Sequence, residues 1–341
     1  MIYYLKSNRV YRSYFGGKRL DKLCGKDTCE DTQFPEEWIA STVRAFNAGR
    51  EDIVEGPSVC ENGKLLKEII DKNPKEFLGE EEFNKHGENM SILVKLLDAA
   101  ERLFIQCHPT ISFAKKYFNS DFGKTECWYI ISAEKNACVY IGFKPEITRE
   151  KWQKCFDNQD ASGMLGLMHK VSVQAGDLIF VEGGVPHAIG EGCLLCELQE
   201  PTDYMVIPER TSKSGITLTD KKMHGGLGFE KMMDCFVYEG LTEEELRNKY
   251  VRHPKLTDNC MIPIVDDSIT DKFKMDCLKL KGKVSFDFGN TYAVATAING
   301  NCKIVSNGKT NEIRSGNSFI VSANNGEIIF DGNATLMICR P

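Results

Sequence analysis

Short apolar runs, separated by turns rich in glycine, asparagine and aspartate, constrain the fold of this chain more than any other feature. Many short strands joined by turns at regular intervals are typical of antiparallel sandwiches and barrels, so we expect a mainly β protein. The runs at 127–132 and 137–143 are separated by only four residues, which predicts a hairpin. The other runs lie at 91–97, 171–173, 176–181, 193–198, 279–286, 292–298, 302–306, 318–322, 328–330 and 335–339.

Helical spacing of apolar residues and helix-start residues mark several segments between these runs. Residues 63–83 predict two short helices separated at Pro74, because proline disrupts a helix interior. Residues 112–118 predict a further helix, and Thr242 followed by three glutamates predicts the start of another. Residues 38–43 fit a strand, although the proline and the two acidic residues before them also fit a helix start.

The size and charge of the chain limit the classes of protein to which it can belong. A chain of 341 residues is long enough for two or three domains. A net charge of −6 argues against a nucleic-acid partner, because phosphate backbones are bound by basic surfaces. The sequence has no run of about 18 apolar residues and no signal-peptide core. We therefore expect a cytoplasmic protein without a membrane partner, and no particular oligomeric state is indicated.

Four polar residues near strand ends have the donor atoms and the spacing of a metal site. Gln106 and His108 are two residues apart, as are Lys124 and Glu126, and residues two apart on a strand face the same way. If the two strands are neighbours, Gln106, His108 and Glu126 can converge. His187, at a glycine-rich strand end, can complete a set of nitrogen and oxygen donors that suits zinc. A single histidine is more often a structural, hydrogen-bonded residue than a metal ligand, and a Gln-x-His pair alone is weak evidence of a metal site.

The segment 176–187, a Gly-Asp pair followed by a strand and then by Gly-x-x-His, resembles the second half of a cupin barrel. Together with the Gln-x-His-Pro and Lys-x-Glu motifs at 106–109 and 124–126, it resembles the type I phosphomannose isomerases, which are zinc-dependent mannose-6-phosphate isomerases of the cupin superfamily. The resemblance extends over nearly the whole chain. It implies a double cupin, two jelly-roll β-barrels with a helical insertion. It also implies one zinc ion per chain, with the ligands Gln106, His108, Glu126 and His187.

The same resemblance, with the strand pattern, implies a division into domains. The metal-bearing cupin barrel is expected to comprise residues 1–90, 91–146 and 170–207, the helical insertion 147–169, the connecting segment 208–264, and the C-terminal cupin-like barrel 265–341. The last segment contains no histidine, so we expect it to bind no metal of this type.

An isomerase of this family moves a proton between C1 and C2 of a sugar phosphate, through an enediol whose oxygens carry developing negative charge. The resemblance implies that Glu197 and Lys124 are active-site residues. Glu197 is the candidate general base, and Lys124 is expected to supply positive charge to the phosphate or to a developing oxyanion. Asp203 is expected to orient a basic partner, although an aspartate after Pro201 is also an ordinary turn residue. The expected reaction interconverts mannose 6-phosphate and fructose 6-phosphate.

Two positions depart from the family pattern. Ile207 stands where the family usually has an arginine, and Phe104 stands where it tends to have a serine. Both positions line the sugar-phosphate end in the family. The nearest guanidinium in the sequence is that of Arg210, which we expect to replace the missing arginine as a catalytic residue. The alternative is a zinc cupin that binds a phosphorylated sugar with altered specificity or without turnover.

Overall fold

The computed structural model describes residues 1–47 and 49–341. Strands outnumber helices in it, which confirms the prediction of a mainly β protein. The strands are β1 (Ile2–Tyr4), β2 (Arg9–Val10), β3 (Glu36–Ile39), β4 (Leu93–Asp98), β5 (Glu126–Ala133), β6 (Cys138–Phe143), β7 (Met168–Ser172), β8 (Leu178–Val181), β9 (His187–Ile189), β10 (Cys193–Gln199), β11 (Val251–Arg252), β12 (Met261–Val265), β13 (Lys274–Phe286), β14 (Ala293–Ser306), β15 (Lys309–Arg314), β16 (Ser318–Val321) and β17 (Ile328–Arg340). The helices are α1 (Lys18–Leu23), α2 (Leu66–Ile70), α3 (Pro74–Leu78), α4 (Glu80–His86), α5 (Ile111–Phe118), α6 (Arg149–Asp157), α7 (Ala161–Gly166), α8 (Asp220–Met223), α9 (Phe229–Met233) and α10 (Glu243–Tyr250).

Two sheets form the N-terminal part of the molecule. The larger sheet has the strand order β11-β8-β5-β10-β4-β3-β2, and all its neighbouring strands are antiparallel. The smaller sheet has the order β7-β6-β9 and is also antiparallel. Apolar side chains from both sheets, such as Trp128 of β5 and Val139 of β6, belong to one core. The two sheets therefore enclose a common interior.

The C-terminal strands form a third sheet, in the order β1-β16-β14-β17-β13-β12, with β15 paired to β14. β1 comes from the opposite end of the chain, and its Ile2 pairs with Val321 of β16. The first residues thus join the C-terminal sheet, whereas the predicted domain division places them in the N-terminal barrel. The core of the N-terminal sheets continues into the third sheet through Met275 and Cys339.

Some predicted strand relations are wrong. The runs 127–132 and 137–143 do not form a hairpin, because β5 pairs with β8 and β10, while β6 pairs with β7 and β9. β5 has a partner on each edge, so no edge remains for β6. The runs 292–298 and 302–306 are parts of one strand, β14. The pairing with β17 has a register shift between Ala297 and Asn299, and Gly300, with a φ of 71°, stays paired with Ala334, so the strand continues through the predicted turn.

Most predicted helices are present, with changes at their ends. The helix at 112–118 is confirmed as α5, and the one after Thr242 is confirmed as α10, which begins with a capping box formed by Thr242 and Glu245. The helical insertion contains α6 and α7. Residues 63–83 contribute to three helices instead of two, because Gly79, with a φ of 98°, separates α3 from α4. None of the helices in the described residues is both long and apolar enough to cross a membrane.

Candidate metal centre and cavity

Two histidines and a glutamate meet in a fully buried cluster. Glu126 is the first residue of β5, His187 is the first residue of β9, and His108 follows an isolated bridge between Cys107 and Val206. The Nε2 atom of His108 lies 3.2 Å from Oε2 of Glu126, and the Nε2 atom of His187 lies 3.4 Å from Oε1. One donor atom from each of the three residues lies within 4.8 Å of the others, close enough for all three to bind one metal ion.

Gln106, the fourth predicted ligand, lies opposite His187. The backbone N–H of each residue donates to the carbonyl of the other, at 2.9 Å in both directions. Directly opposite residues of an antiparallel pair project to the same side, so the side chain of Gln106 lies beside that of His187. The predicted Gln-x-His strand is reduced to isolated bridges at Gln106 and Cys107. Pro109 has no N–H with which to continue the pairing.

Backbone carbonyls hold both imidazole rings with Nε2 toward the carboxylate. The Nδ1 atom of His108 lies 2.9 Å from the carbonyl oxygen of Tyr204, and Nδ1 of His187 lies 3.0 Å from that of Val185. A carbonyl oxygen only accepts, so Nδ1 bears the proton and Nε2 has a free lone pair. Burial lowers the pKa of both rings, and the charge of Lys124 helps to lower that of His108 to about 4. Both rings are therefore neutral at pH 7, the form that binds metals.

Two donor atoms of this cluster lack a protein partner in the described part of the chain, and the other two contact the ammonium group of Lys124. Among the described residues, Oε1 of Glu126 and Nε2 of His187 are buried without a hydrogen bond, which costs about 1–3 kcal/mol for each such atom. Nζ of Lys124 lies 2.6 Å from Oε2 of Glu126 and 2.5 Å from Nε2 of His108. Burial would raise the pKa of Glu126, but Lys124 and the two histidines together lower it, and the carboxylate stays ionised. Two neutral imidazoles and a carboxylate fit a divalent metal ion.

A cavity of about 270 Å³ adjoins the cluster. Gln106 and Lys124 line it, and so do Glu197 and Asp203, two further residues expected in the site. The volume is near the lower end of the range of about 300–1,000 Å³ for small-molecule sites. The structure therefore brings together all the predicted site residues except Arg210, either in the cluster or in the cavity wall.

Glu197 lies on β10, opposite a lysine of β4. It is in register with Lys95, whose Nζ donates to Oε1 of Glu197 over 2.9 Å. Both side chains are almost fully buried and both line the cavity. Burial lowers the pKa of Lys95, but the charges of Glu197 and Glu36 outweigh this effect and raise it. Lys95 therefore stays protonated and holds the carboxylate of Glu197 at the cavity wall.

Arg12 is the basic partner of Asp203. Two hydrogen bonds, of 3.1 and 3.2 Å, join the guanidinium to the Asp203 carboxylate, and Nε of Arg12 lies 3.0 Å from Oε2 of Glu36. Burial would raise the pKa of Asp203, but the charges of Arg12, Lys95 and Lys222 lower it to about 2. The three side chains of Arg12, Glu36 and Asp203 form a buried charge network in the cavity wall.

Arg210 does not reach the cavity. Its Nη1 atom lies 2.6 Å from Oδ1 of Asp220, and its backbone N–H donates to Gln159. Ile207, in contrast, lines the cavity. Arg210 follows Ile207 by three residues, and an odd separation along an extended chain places side chains on opposite sides. This placement argues against the expected replacement of the family's arginine by Arg210.

Three cavity cations, Arg12, Lys95 and Lys222, were not identified from the sequence. Lys95 did leave a signal, because it is the one charged residue in the apolar run 91–97. A buried charge in a strand needs a partner, and such a residue is a candidate for a site. Arg12 and Lys222 lie in polar stretches and left no such signal. The partner of Arg12, Asp203, is 191 residues away.

The chain is similar over most of its length to known isomerases. A family model described as the catalytic domain of phosphomannose isomerase type I matches residues 52–142, and one described as the cupin domain of mannose-6-phosphate isomerase matches residues 267–341. The chain is 30% identical over 302 residues to the probable mannose-6-phosphate isomerase GmuF of Bacillus subtilis, with 88% of each protein covered.

Solved structures show the same fold. The crystal structure of the mannose 6-phosphate isomerase from Bacillus subtilis matches with a TM-score of 0.74 at 21% identity, with 99% of each chain covered. A lysine-to-alanine variant of phosphomannose isomerase from Salmonella typhimurium matches with a TM-score of 0.76 at 15% identity, over 100% of this chain and 99% of that chain. The chain therefore has the cupin fold of these enzymes and belongs to the type I phosphomannose isomerase family.

Proposed function

We propose that this chain interconverts mannose 6-phosphate and fructose 6-phosphate, with one zinc ion bound by Gln106, His108, Glu126 and His187. The observation that carries the proposal is that a buried His-Glu-His cluster and the carboxylate of Glu197 meet at one cavity in a member of this family. Relatives are named mannose-6-phosphate isomerases, and the cavity supplies the groups that such a reaction needs.

Zinc fits this donor set because it binds imidazole nitrogen and carboxylate oxygen and has no redox chemistry that could divert a sugar. When bound, it would act as a Lewis acid that stabilises negative charge on the oxygens of C1 and C2. The protein's own contribution is orientation. The carbonyls of Tyr204 and Val185 fix the two imidazole rings, and partners of this kind typically change metal affinity about 10- to 100-fold.

Glu197 is the proposed general base. Its carboxylate takes the proton from C2 of the aldose, the electrons of that C–H bond form the C1–C2 double bond, and the π electrons of the C1 carbonyl move to O1, which takes up a proton. O2 then loses its proton as the C2 carbonyl forms, the electrons of the C1–C2 double bond move to C1, and the proton held by Glu197 is returned to C1 to give the ketose. The reaction therefore consumes no net proton. Lys95 holds the carboxylate in place through the 2.9 Å hydrogen bond, so the base does not have to be ordered when substrate binds.

Lys124 is proposed to donate to a substrate oxygen on which negative charge develops. Its ammonium group contacts the metal donors and its side chain lines the cavity, so it lies where the reacting oxygens would be held. A fixed cation at this position stabilises the transition state more than the ground state, because the charge develops only during proton transfer. Asp203 acts indirectly, by holding Arg12 in the wall.

The proposal is tested with zinc-loaded protein and mannose 6-phosphate, with fructose 6-phosphate followed through a dehydrogenase-linked assay. We expect turnover, its loss on adding a chelator, and its return with zinc. Glu197→Gln should lower kcat by about 10²- to 10⁴-fold without changing the zinc content. The control is Glu191→Gln, an exposed carboxylate paired with Lys213. Binding of mannose 6-phosphate without turnover by the zinc-loaded protein would contradict the proposal and support a non-catalytic sugar-phosphate-binding protein.

A further inference from the structure

We propose that Lys222 binds the phosphate group of the substrate and supplies the positive charge that Ile207 cannot. This inference rests on the proposed function and extends it to Lys222, which belongs to none of the motifs described above. Four observations support it: the position of Lys222 beside Ile207, the pairing of the other cavity cations, the surroundings of its ammonium group, and its contacts, which differ from those of the metal cluster.

Lys222 lies on the same part of the cavity wall as Ile207. The backbone N–H of Ile207 donates to the carbonyl of Met223 over 2.8 Å, and Met223 directly follows Lys222 in α8. Both Ile207 and Lys222 line the cavity. Thr219 caps this short helix by accepting a hydrogen bond of 3.3 Å from the backbone N–H of Lys222. The helix therefore places a cation next to the position at which the family usually has an arginine.

The other cavity cations are already paired with carboxylates. Arg12 is paired with Glu36 and Asp203, Lys95 with Glu197, and Lys124 with Glu126. Among the described residues, no carboxylate lies within ion-pair distance of Lys222. Its Nζ instead donates to the backbone carbonyl of Phe46 over 3.1 Å. An anion that enters the cavity thus finds one ammonium group whose charge no carboxylate neutralises directly.

The surroundings of Lys222 strengthen its attraction for an anion. The apolar side chains of Ile207 and Leu218 line the cavity and are nearly fully buried, so they lower the local dielectric constant. Burial lowers the pKa of Lys222, and the more distant charges of Asp203 and Glu36 only partly offset this. A bound phosphate would supply the missing compensation. Thr219, which also lines the cavity, keeps its hydroxyl proton to donate to a phosphate oxygen.

Lys222 and the metal cluster make different contacts at the cavity. Nζ of Lys222 donates to the carbonyl of Phe46, whereas Nζ of Lys124 contacts Glu126 and His108. Both lysines line the cavity. A hexose 6-phosphate has its reacting carbons, C1 and C2, at one end and its phosphate, on C6, at the other. With C1 and C2 at the metal donors, the phosphate is directed toward Lys222.

The test measures the binding of mannose 6-phosphate and of unphosphorylated mannose to the zinc-loaded protein by calorimetry. A charged hydrogen bond to phosphate accounts for about a 10- to 100-fold change in affinity, so Lys222→Met should weaken mannose 6-phosphate binding by that factor and leave mannose binding unchanged. Lys221→Met, at the preceding exposed position of α8, is the matched control and should bind both sugars as the wild type does. Lys222→Arg should recover most of the affinity, because arginine also binds phosphate.

Two results would overturn the proposal. One is equal affinity of Lys222→Met and Lys221→Met for mannose 6-phosphate, and the other is an equal loss of affinity for mannose and mannose 6-phosphate in Lys222→Met. The measurement does not depend on turnover. A protein that shows the selective loss but no isomerisation would retain the phosphate role of Lys222 and contradict the proposed function. A protein that isomerises but shows no selective loss would support the proposed function and contradict the phosphate role of Lys222.

Discussion

Replacing Arg12 by methionine leaves two buried carboxylates without their cation. The guanidinium of Arg12 is bonded to both Glu36 and Asp203, and the three side chains are at most 8% exposed. Methionine is apolar and flexible enough to fill most of the same space. Arg12→Met therefore removes the charge with little loss of packing, and the change in the free energy of unfolding reports on the network.

The magnitude follows from the pKa of Asp203. A lowering from the ordinary value of 3.8 to about 2 corresponds to about 2 kcal/mol, at roughly 1.4 kcal/mol per pH unit. Arg12 also lowers the pKa of Glu36, so that carboxylate adds a contribution of the same sign. Removing one partner from a buried charged pair typically costs about 3–5 kcal/mol. We expect Arg12→Met to lower the free energy of unfolding at pH 7 by an amount in this range.

The pH dependence of the difference in unfolding free energy provides a second, independent test. In the wild type the folded-state pKa of Asp203 is below its unfolded value, so its contribution is present above about pH 4 and is lost as the pH falls toward about 2. Without Arg12, burial dominates and the pKa of Asp203 rises. The variant then regains stability relative to the wild type as the pH falls through that raised pKa. The difference in unfolding free energy between the two proteins should therefore shrink from pH 7 to pH 4.

Tryptophan fluorescence during urea unfolding is the appropriate assay. The three tryptophans are Trp38, Trp128 and Trp152, which lie on β3, β5 and α6, so the signal reports on the N-terminal part. The control is Arg149→Met, which breaks an ion pair with 40% and 45% exposed side chains and should cost less than about 1 kcal/mol. If Arg12→Met costs no more than this control, and if the difference from the wild type does not change with pH, the reasoning about the buried charge network is wrong.

Two further substitutions test individual placements. Gly79→Ala should lower the free energy of unfolding by at least about 2 kcal/mol, because Gly79 has a φ of 98° and a Cβ there would lie 2.0 Å from the carbonyl oxygen of Asn290. Urea unfolding checks this prediction. Gly25→Ala is the milder control, because a Cβ at Gly25 would meet no atom within 4 Å. Arg210→Ala should change KM for mannose 6-phosphate by less than about twofold, because its guanidinium forms a partly exposed pair with Asp220 outside the cavity. Steady-state kinetics check this, and a tenfold rise in KM would restore Arg210 to the site.

The strand pattern predicted the class of fold but not which strands pair. The alternation of apolar and polar residues, together with turn residues, predicts that a segment is extended and which of its residues are buried. It does not predict which edge of a sheet is free to pair. The wrong hairpin at 127–143 shows this, because both edges of β5 are occupied by strands distant in sequence. The pairing of Ile2 with Val321 is a similar case, since no local signal joins the two ends of the chain.

The candidate metal ligands could be predicted from the sequence because their motifs are local. Gln106 and His108 are two residues apart, and Glu126 and His187 each stand at a strand start. The charge networks around them were not identifiable, because each ion pair joins segments that meet only in the folded chain. Lys95 is the exception, since a lysine within an apolar run requires a partner. Its partner Glu197 was predicted from the family resemblance and not from the apolar run that contains Lys95.

The metal content of the purified protein, measured by inductively coupled plasma mass spectrometry, tests the proposed zinc site directly. The proteins to compare are the wild type, His187→Ala and His253→Ala. His253 has a 65% exposed side chain paired with Asp177, which makes it a matched control outside the cluster. We expect about one zinc ion per chain in the wild type and in His253→Ala, and its loss in His187→Ala. Equal zinc in all three proteins would contradict zinc binding by His187 and its cluster.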